Sequence, residues 1–373
     1  MNHLRGPQIT VLALWSYGIV FARTCGLNRV AATLAGCLGE KEDNLRQRLR
    51  EWYWDKEDKR GKRRVDWQVS QSFGPLLKWI LKHWTPEEKT FVLAMDVTSL
   101  KRLFVVLSIS VVYRGCAIPI AWEIRPAEQP GSWKEPWLSL FDNVQGILPT
   151  DWQVLVMADR GLYARWLYEA IQKCGWHPFL RINLRSHYCP PGRMDFRPMS
   201  QLLSSPGSTW AGGVTCFANN SIHATLLACW ETHHKEPWLI VTDLSPDLAC
   251  ASWYSLRSWI EDLFKDIKRD GWQWQKTRMS DPVRASRLWL ALAVATLWVV
   301  SVGGEADAHL PATHLDLLPS HHIARRTNKH SIKPRTLSCF SRGLIEIFSA
   351  LVHNRSMAIG SFFPEPWPLK TYP

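Results

Sequence analysis

FVLAMDVTSLKRLFVVLSISVVYRGCAIPIAWEI, residues 91–124, organises the rest of the chain. It holds three apolar runs, at 91–96, 103–113 and 116–124. Each is predominantly apolar, and short polar or glycine-bearing breaks separate them, the last at Arg114-Gly115. Runs of this length and composition predict strands. Connections this short can join only antiparallel neighbours, so the spacing predicts a three-stranded meander. The first run ends in a carboxylate, Asp96.

Downstream, a Pro/Gly segment (126–131) leads into a predicted helix over about 134–147. WQVLVMAD (152–159) reads as a further buried strand, again ending in aspartate, Asp159. YARWLYEAIQKCG (163–175) is a predicted helix that stops at Gly175, and HPFLRINLR (177–185) a strand. The order is β-β-β-α-β-α-β. Residues 186–236 differ: turn signals at 188–192 and 204–207 alternate with short runs at 213–218 and 222–230, which predicts a small β-rich insertion. PWLIVTDL (237–244) returns to core-strand character. A long helix is expected over about 251–269 and an apolar one over 284–302. Upstream, apolar residues at threes and fours predict helices at 10–23, 28–38, 43–54 and 72–83. The resulting division is 1–85 helical, 86–185 first half of an α/β core, 186–236 insertion, 237–302 second half, and 303–373 a basic, partly helical tail.

The chain has 373 residues, 45 Lys and Arg against 33 Asp and Glu, and a net charge of +12. That excess points to a polyanionic partner, nucleic acid before membrane. A hydrophobic share of 46% excludes a disordered chain. The nine cysteines never form CxxC, which argues against a zinc site or a disulfide framework and for free thiols in a reducing compartment. The uncharged stretch at 288–302 is shorter than the roughly 20 residues a membrane span needs. It is expected to be a core helix, with no membrane association and no signal peptide. Twenty-two tryptophans exceed what a core requires, so some are candidate stacking platforms. The run DKEDKRGKRR (55–64) reads equally as a solvated loop or as a phosphate-contacting element beside a helix bearing Arg46, Arg48 and Arg50.

An ionised carboxylate at the end of a buried strand needs a partner, a hydrogen bond or a metal, although aspartate also starts turns. The helix WYSLRSWIEDLFKDIKRDGW (253–272) adds a third acid. At about 100° per residue, Tyr254, Arg257, Glu261 and Lys268 share one side, while Leu256, Ile260, Leu263 and Ile267 share the other.

Tyr254-x2-Arg257-x3-Glu261-x6-Lys268, following two strand-end aspartates, resembles the Y-R-E-K signature of bacterial insertion-sequence transposases with a DDE triad. The resemblance spans about residues 86–302. It implies an α/β, ribonuclease-H-like mixed sheet flanked by helices, interrupted by the β-rich insertion and preceded by an all-helical DNA-binding domain. It implies that Asp96, Asp159 and Glu261 are catalytic and hold two Mg²⁺ ions, with Mn²⁺ able to substitute. Two such ions stabilise the attacking and leaving oxygens of an in-line phosphoryl displacement. It further implies that Tyr254, Arg257 and Lys268 grip DNA phosphates, and that an aromatic residue stacks a flipped base. Trp230 is the candidate for that stacking, with Trp210 and Trp238 as alternatives, and insertion core is an equal reading of Trp230. Arg46 and Arg50 would contact DNA from the N-terminal helices. The implied partners are double-stranded DNA, as terminal inverted repeats and target, and a second copy of the chain on paired ends. The implied location is the bacterial cytoplasm. Asp243, in Val-Thr-Asp-Leu, either approaches the acids or caps a turn. His233, His234, His321 and His322 lack acid or cysteine neighbours at ligand spacing.

Overall fold

The computed structural model describes residues 3–60, 66–85, 87, 89–129, 133–232, 234–308, 337–357 and 359–365. His233, the histidines at 321 and 322 and the basic cluster of the tail therefore lie outside the described residues, as do positions 61–65 of the basic run. Among the described residues, four α-helices precede the first strand: α1 (Gly6–Ala22), α2 (Leu27–Leu38), α3 (Glu42–Tyr53) and α4 (Phe73–Lys82). Their ends follow local chemistry. Proline stands in the first turn of α1, where its missing N–H would have no helical partner anyway. Glu42 and Asp43 open α3 and Arg50 lies in its last turn, an arrangement that complements the helix dipole.

Strands β1 (Thr90–Leu100), β2 (Phe104–Tyr113) and β3 (Cys116–Pro126) form the antiparallel meander. Arg114 and Gly115 turn the β2–β3 hairpin with φ of 44° and 78°, the left-handed pair that matches strand twist. Helix α5 (Lys134–Asp142) leads to β4 (Gln153–Ala158), and α6 (Arg165–Lys173) to β5 (His177–Arg181). β4 runs parallel to β1, and β5 parallel to β4. The segment after β5 supplies β6 (His187–Cys189), β7 (Arg197–Pro198), β8 (Thr209–Cys216) and β9 (Ile222–Cys229), followed by β10 (Trp238–Thr242). β10 pairs antiparallel with β5 on one side and with β9 on the other. Among the described residues, these ten strands join one mixed sheet in the order β3-β2-β1-β4-β5-β10-β9-β8-β6-β7. The strands at 186–236 thus extend the core sheet and do not form a lobe of their own. β2 and β3 are buried on both faces, whereas β8 alternates exposed and half-buried residues along most of its length.

The remaining α-helices among the described residues are α7 (Trp259–Lys265), α8 (Pro282–Ala306) and α9 (Cys339–Val352). α8 opens on an Asp281 side chain that accepts the Arg284 N–H at 2.8 Å, with proline in its first turn. It is long and apolar enough to cross a membrane, yet 78% of its apolar window is buried inside the protein. It is the helix around which the molecule packs. Trp122 of β3 donates to Ser286 Oγ at 3.1 Å, Ser16 of α1 to the Ala291 carbonyl at 3.2 Å, and Trp52 of α3 to the Arg287 carbonyl at 3.2 Å. Arg287, buried in the second turn of α8, bonds the Tyr53 carbonyl, Asp55 at 2.8 Å and Asp66 at 2.7 Å. Arg284 pairs with Asp55 and Asp58. Two acids of the run at 55–64 are therefore consumed by α8. The N-terminal helices share their core with α8, because Trp15, Leu45, Leu49 and Trp52 are all buried in it.

Candidate active site

Asp96 lies within β1 rather than at its end, because β2 keeps pairing with β1 as far as Leu100. The parallel pairing with β4 stops earlier, at Met95 opposite Ala158. Asp96 and Asp159 are each the next residue. Parallel strands sit about 4.8 Å apart and alternate their side chains in step, so this register sets the two carboxylates side by side. The same logic across β4 and β5, where Ala158 faces Leu180, brings Arg181 beside Asp159. Its Nη1 stands 3.9 Å from Asp159 Oδ1.

The third acid arrives on the segment 251–270, which is not the continuous α-helix that the sequence predicts. Residues 251–258 form a 3₁₀ helix, α7 follows, and residues 266–270 form a π-turn. Serines at three-residue spacing explain the tight start. Ser255 Oγ donates to the Ser252 carbonyl at 2.8 Å and Ser258 Oγ to the Ser255 carbonyl at 2.7 Å, and such local bonds compete with regular α-helix geometry. In a 3₁₀ helix, residues three apart eclipse one another. Tyr254 and Arg257 consequently point the same way, toward β1 and β4.

Their contacts knit the acids together. The Tyr254 hydroxyl lies 3.4 Å from Asp159 Oδ1 and 3.5 Å from the Ala158 carbonyl. Arg257 donates from Nη2 to Asp96 Oδ2 at 2.7 Å and from Nη1 to Glu261 Oε1 at 2.6 Å. Asp96 Oδ1 also accepts the Val97 N–H at 2.8 Å. Lys268 reaches β1 beyond Asp96, donating to Thr98 Oγ1 at 2.7 Å and to the Ser99 carbonyl at 2.8 Å. Burial raises the Asp96 carboxyl above its ordinary value. Arg257 opposes that rise, and Glu261 and Asp159 add to it. Burial likewise raises the Tyr254 hydroxyl and lowers the Lys268 ammonium.

Asp96 and Glu261 thus share one guanidinium, and Asp159 stands beside Asp96, held by Tyr254 and Arg181. Their oxygens are hard donors of the kind that Mg²⁺ and Mn²⁺ prefer, so the donor chemistry suits a divalent ion. The spacing suits the guanidinium that is there: among the described residues, no three His, Cys, Asp or Glu side chains stand close enough together to hold an ion.

Two further charges enter that the sequence analysis did not single out. Glu236, just before β10, bonds Arg160 at 2.7 Å and Arg181 at 3.2 Å. Arg181 is a basic residue at the end of a strand, and only the β4–β5 register reveals its neighbour. Asp243 goes elsewhere. It follows β10, next to the start of β5, and takes His177 at 2.9 Å and Gln172 at 3.2 Å, at the opposite end of β5 from Arg181.

The other expected DNA contacts are dispersed. Half-buried Trp230 donates its indole N–H to the His234 carbonyl at 2.9 Å. Trp238 is buried edge-on to Tyr254, at 5.3 Å between ring centroids, and the Trp210 ring lies over Gly212. Arg46 pairs with Asp43 at 2.6 Å, Arg48 with Glu40 at 2.9 Å, and Arg50 covers the Trp54 ring at 5.7 Å.

The π-turn half-buries a carboxyl. Burial, with Asp262 and Asp270 nearby, pushes the Asp266 carboxyl up to about 8, against the weaker pull of Lys265 and Arg23. Folding therefore takes up a proton between an ordinary pKa of 3.8 and about 8. This group costs nothing below that window, and its penalty grows through the window as pH rises. At 1.36 kcal/mol per unit the full penalty would be about 6 kcal/mol. Asp266 is only partly shielded by accessible surface, so about 2–4 kcal/mol is expected. Asp266→Asn should raise thermal stability at pH 8 and leave it nearly unchanged at pH 4. Melting curves that shift equally at both pH values would refute this.

The family model described as the transposase DDE domain matches residues 140–298, a span that includes Asp159, Tyr254, Arg257, Glu261 and Lys268. No curated protein matches the chain. Among solved structures, the piggyBac transposase synaptic complex with hairpin DNA is similar at 9% identity and a TM-score of 0.37, over 79% of this chain and 67% of that one. The Mos1 strand transfer complex is similar at 12% identity and a TM-score of 0.17, over 40% and 52%. The segment that brings Asp159 and Glu261 to the site is thus similar to a transposase DDE domain.

Proposed function

We propose that this protein is a DNA transposase that cuts at the ends of its element and joins the freed 3′-hydroxyls to target DNA. The observation that carries this reading is the placement of Asp96 and Asp159 side by side on adjacent parallel strands, with Arg257 bridging Asp96 to Glu261 from a distant helical segment. The strand order β3-β2-β1-β4-β5 agrees with a ribonuclease-H-like core. Asp96, Asp159 and Glu261 would hold two Mg²⁺ ions, or Mn²⁺ in their place. When bound, such ions stabilise the charge on the attacking and leaving oxygens.

The chain's own groups supply the rest. Arg257, Lys268, Arg181 and Arg160 concentrate positive charge around the carboxylates, and phosphate contacts of this kind set register without reading sequence. Tyr254 holds Asp159 in orientation through its hydroxyl. Strand transfer is a transesterification, so one phosphodiester forms as another breaks and no ATP is required. Arg46 and Arg50, on α3, are candidates for contacting terminal inverted repeats, and Trp230 for stacking a displaced base. A homodimer on paired ends and a bacterial cytoplasmic setting complete the proposal.

The test supplies the full-length protein with Mg²⁺, a duplex carrying the element's own end, and plasmid target. Cleavage at the end followed by joined products is the expected result. Cleavage without joining, even from precleaved ends, would leave a nuclease. Binding without cleavage would leave a silent DNA-binding regulator. Short inverted repeats bracketing the reading frame, with a small target duplication outside them, are expected in the flanking DNA.

A further inference from the structure

We propose that Arg257 is the resting counter-ion of Asp96 and Glu261, and that DNA phosphate must draw it away before divalent ions can bind there. Metal and DNA then raise each other's affinity through this one side chain. The inference rests on the carboxylates being the metal site.

The guanidinium is placed where a cation would act. It touches Asp96 Oδ2 at 2.7 Å and Glu261 Oε1 at 2.6 Å, so an ion bound to these two oxygens would meet a like charge at contact distance. The side chain is 12% exposed, which weakens the screening of that repulsion by solvent. The acids are spread around the guanidinium and not gathered for an ion.

Arg257 also has a donor that its present position leaves unused. Its Nε is buried without a hydrogen-bond partner, so the fork is incompletely satisfied in this position. The backbone beneath is fixed by the serine bonds at 252, 255 and 258, so the long side chain can swing without moving α7. Phosphate offers the bidentate geometry that guanidinium prefers. Lys268 makes a useful contrast. Its partners are the neutral Thr98 hydroxyl and the Ser99 carbonyl, and it competes for none of the acids.

Coupling of this kind is reciprocal, which allows two independent readouts on the full-length protein. The first is Mn²⁺ binding without DNA, followed by the paramagnetic resonance of the free ion. Arg257→Gln should bind Mn²⁺ about tenfold tighter than wild type. Arg257→Lys should stay close to wild type, because it keeps the charge. The second readout is the affinity of wild-type protein for a short duplex, by fluorescence anisotropy with and without Ca²⁺, an ion used here to avoid cleavage. Ca²⁺ should tighten wild-type binding about tenfold and Arg257→Gln binding hardly at all.

Equal or weaker Mn²⁺ binding by a folded Arg257→Gln protein would overturn the inference while leaving the metal site standing, provided that Asp96→Asn abolishes the binding. If Arg257→Gln fails to fold, a wild-type duplex affinity indifferent to Ca²⁺ overturns the inference alone. If no form binds Mn²⁺, with or without duplex, the carboxylates are not a metal site, and this inference and the reading beneath it fall together.

Discussion

Asp96→Asn is expected to lower divalent-ion-dependent strand cleavage by on the order of 10³-fold or more while the protein stays folded. Groups that act as one catalytic unit are not additive, and losing one costs nearly as much as losing all. The amide keeps the size of the carboxyl and can still accept the Val97 N–H. It removes the negative charge that Asp96 sets against Arg257, beside Asp159. Stability should move the other way. Burial raises the Asp96 pKa, so the folded chain binds its proton more tightly than the unfolded chain does. The carboxylate therefore contributes nothing below its unfolded pKa, and a penalty develops as pH rises through the folded value. Melting at neutral pH should accordingly be no lower in the variant than in wild type. Cleavage within tenfold of wild type, measured on the same end-bearing duplex, would remove Asp96 from the chemistry.

Gly303→Ala is expected to cost about 3 kcal/mol or more. α8 and α9 cross at Gly303 and Gly343. A Cβ on Gly303 would fall 1.8 Å from the Cys339 carbonyl oxygen, and one on Gly343 would fall 1.8 Å from the Val299 carbonyl oxygen. Both obstacles are backbone, so no rotamer change relieves them and the helices must separate. Separation would also disturb the buried Cys339, Phe340 and Leu344. Gly36→Ala is the matched control. Gly36 lies inside α2 with open space around its Cβ position, and there alanine should stabilise by about 0.5–1 kcal/mol through the unfolded state. Chemical denaturation of both variants checks the pair. Similar midpoints would mean that the α8–α9 crossing is looser than its geometry states.

Much of this architecture was legible beforehand because it is local. The meander at 91–124 follows from apolar runs joined by connections too short for any other pairing. The uncharged centre of α8 reads as core for the same reason. The segment 251–270 was misread as uniform α-helix. Apolar residues at threes and fours do not distinguish α from 3₁₀ geometry, and the clue lay in serines 252, 255 and 258. Arg181 and Glu236 were missed because nothing about a basic strand end or a loop glutamate marks it until its neighbour across the sheet is known. The strands at 186–236 were expected, whereas their continuity with the core sheet was not. Strand pairing depends on which edge is free, and β10 offers one edge to β5 and the other to β9.

The sequence by itself determined where most strands and helices form, which aspartates end apolar runs, and that Tyr254, Arg257, Glu261 and Lys268 travel on one short segment. Periodicity, chain stiffness and residue chemistry act between near neighbours and need no fold to express them. Only the tertiary structure decided that Asp96 stands beside Asp159, that Arg257 bridges Asp96 to Glu261, and that the N-terminal helices close over α8. Those outcomes depend on strand register and on packing between residues far apart in the chain, where a shift of one residue would turn each side chain to the opposite face.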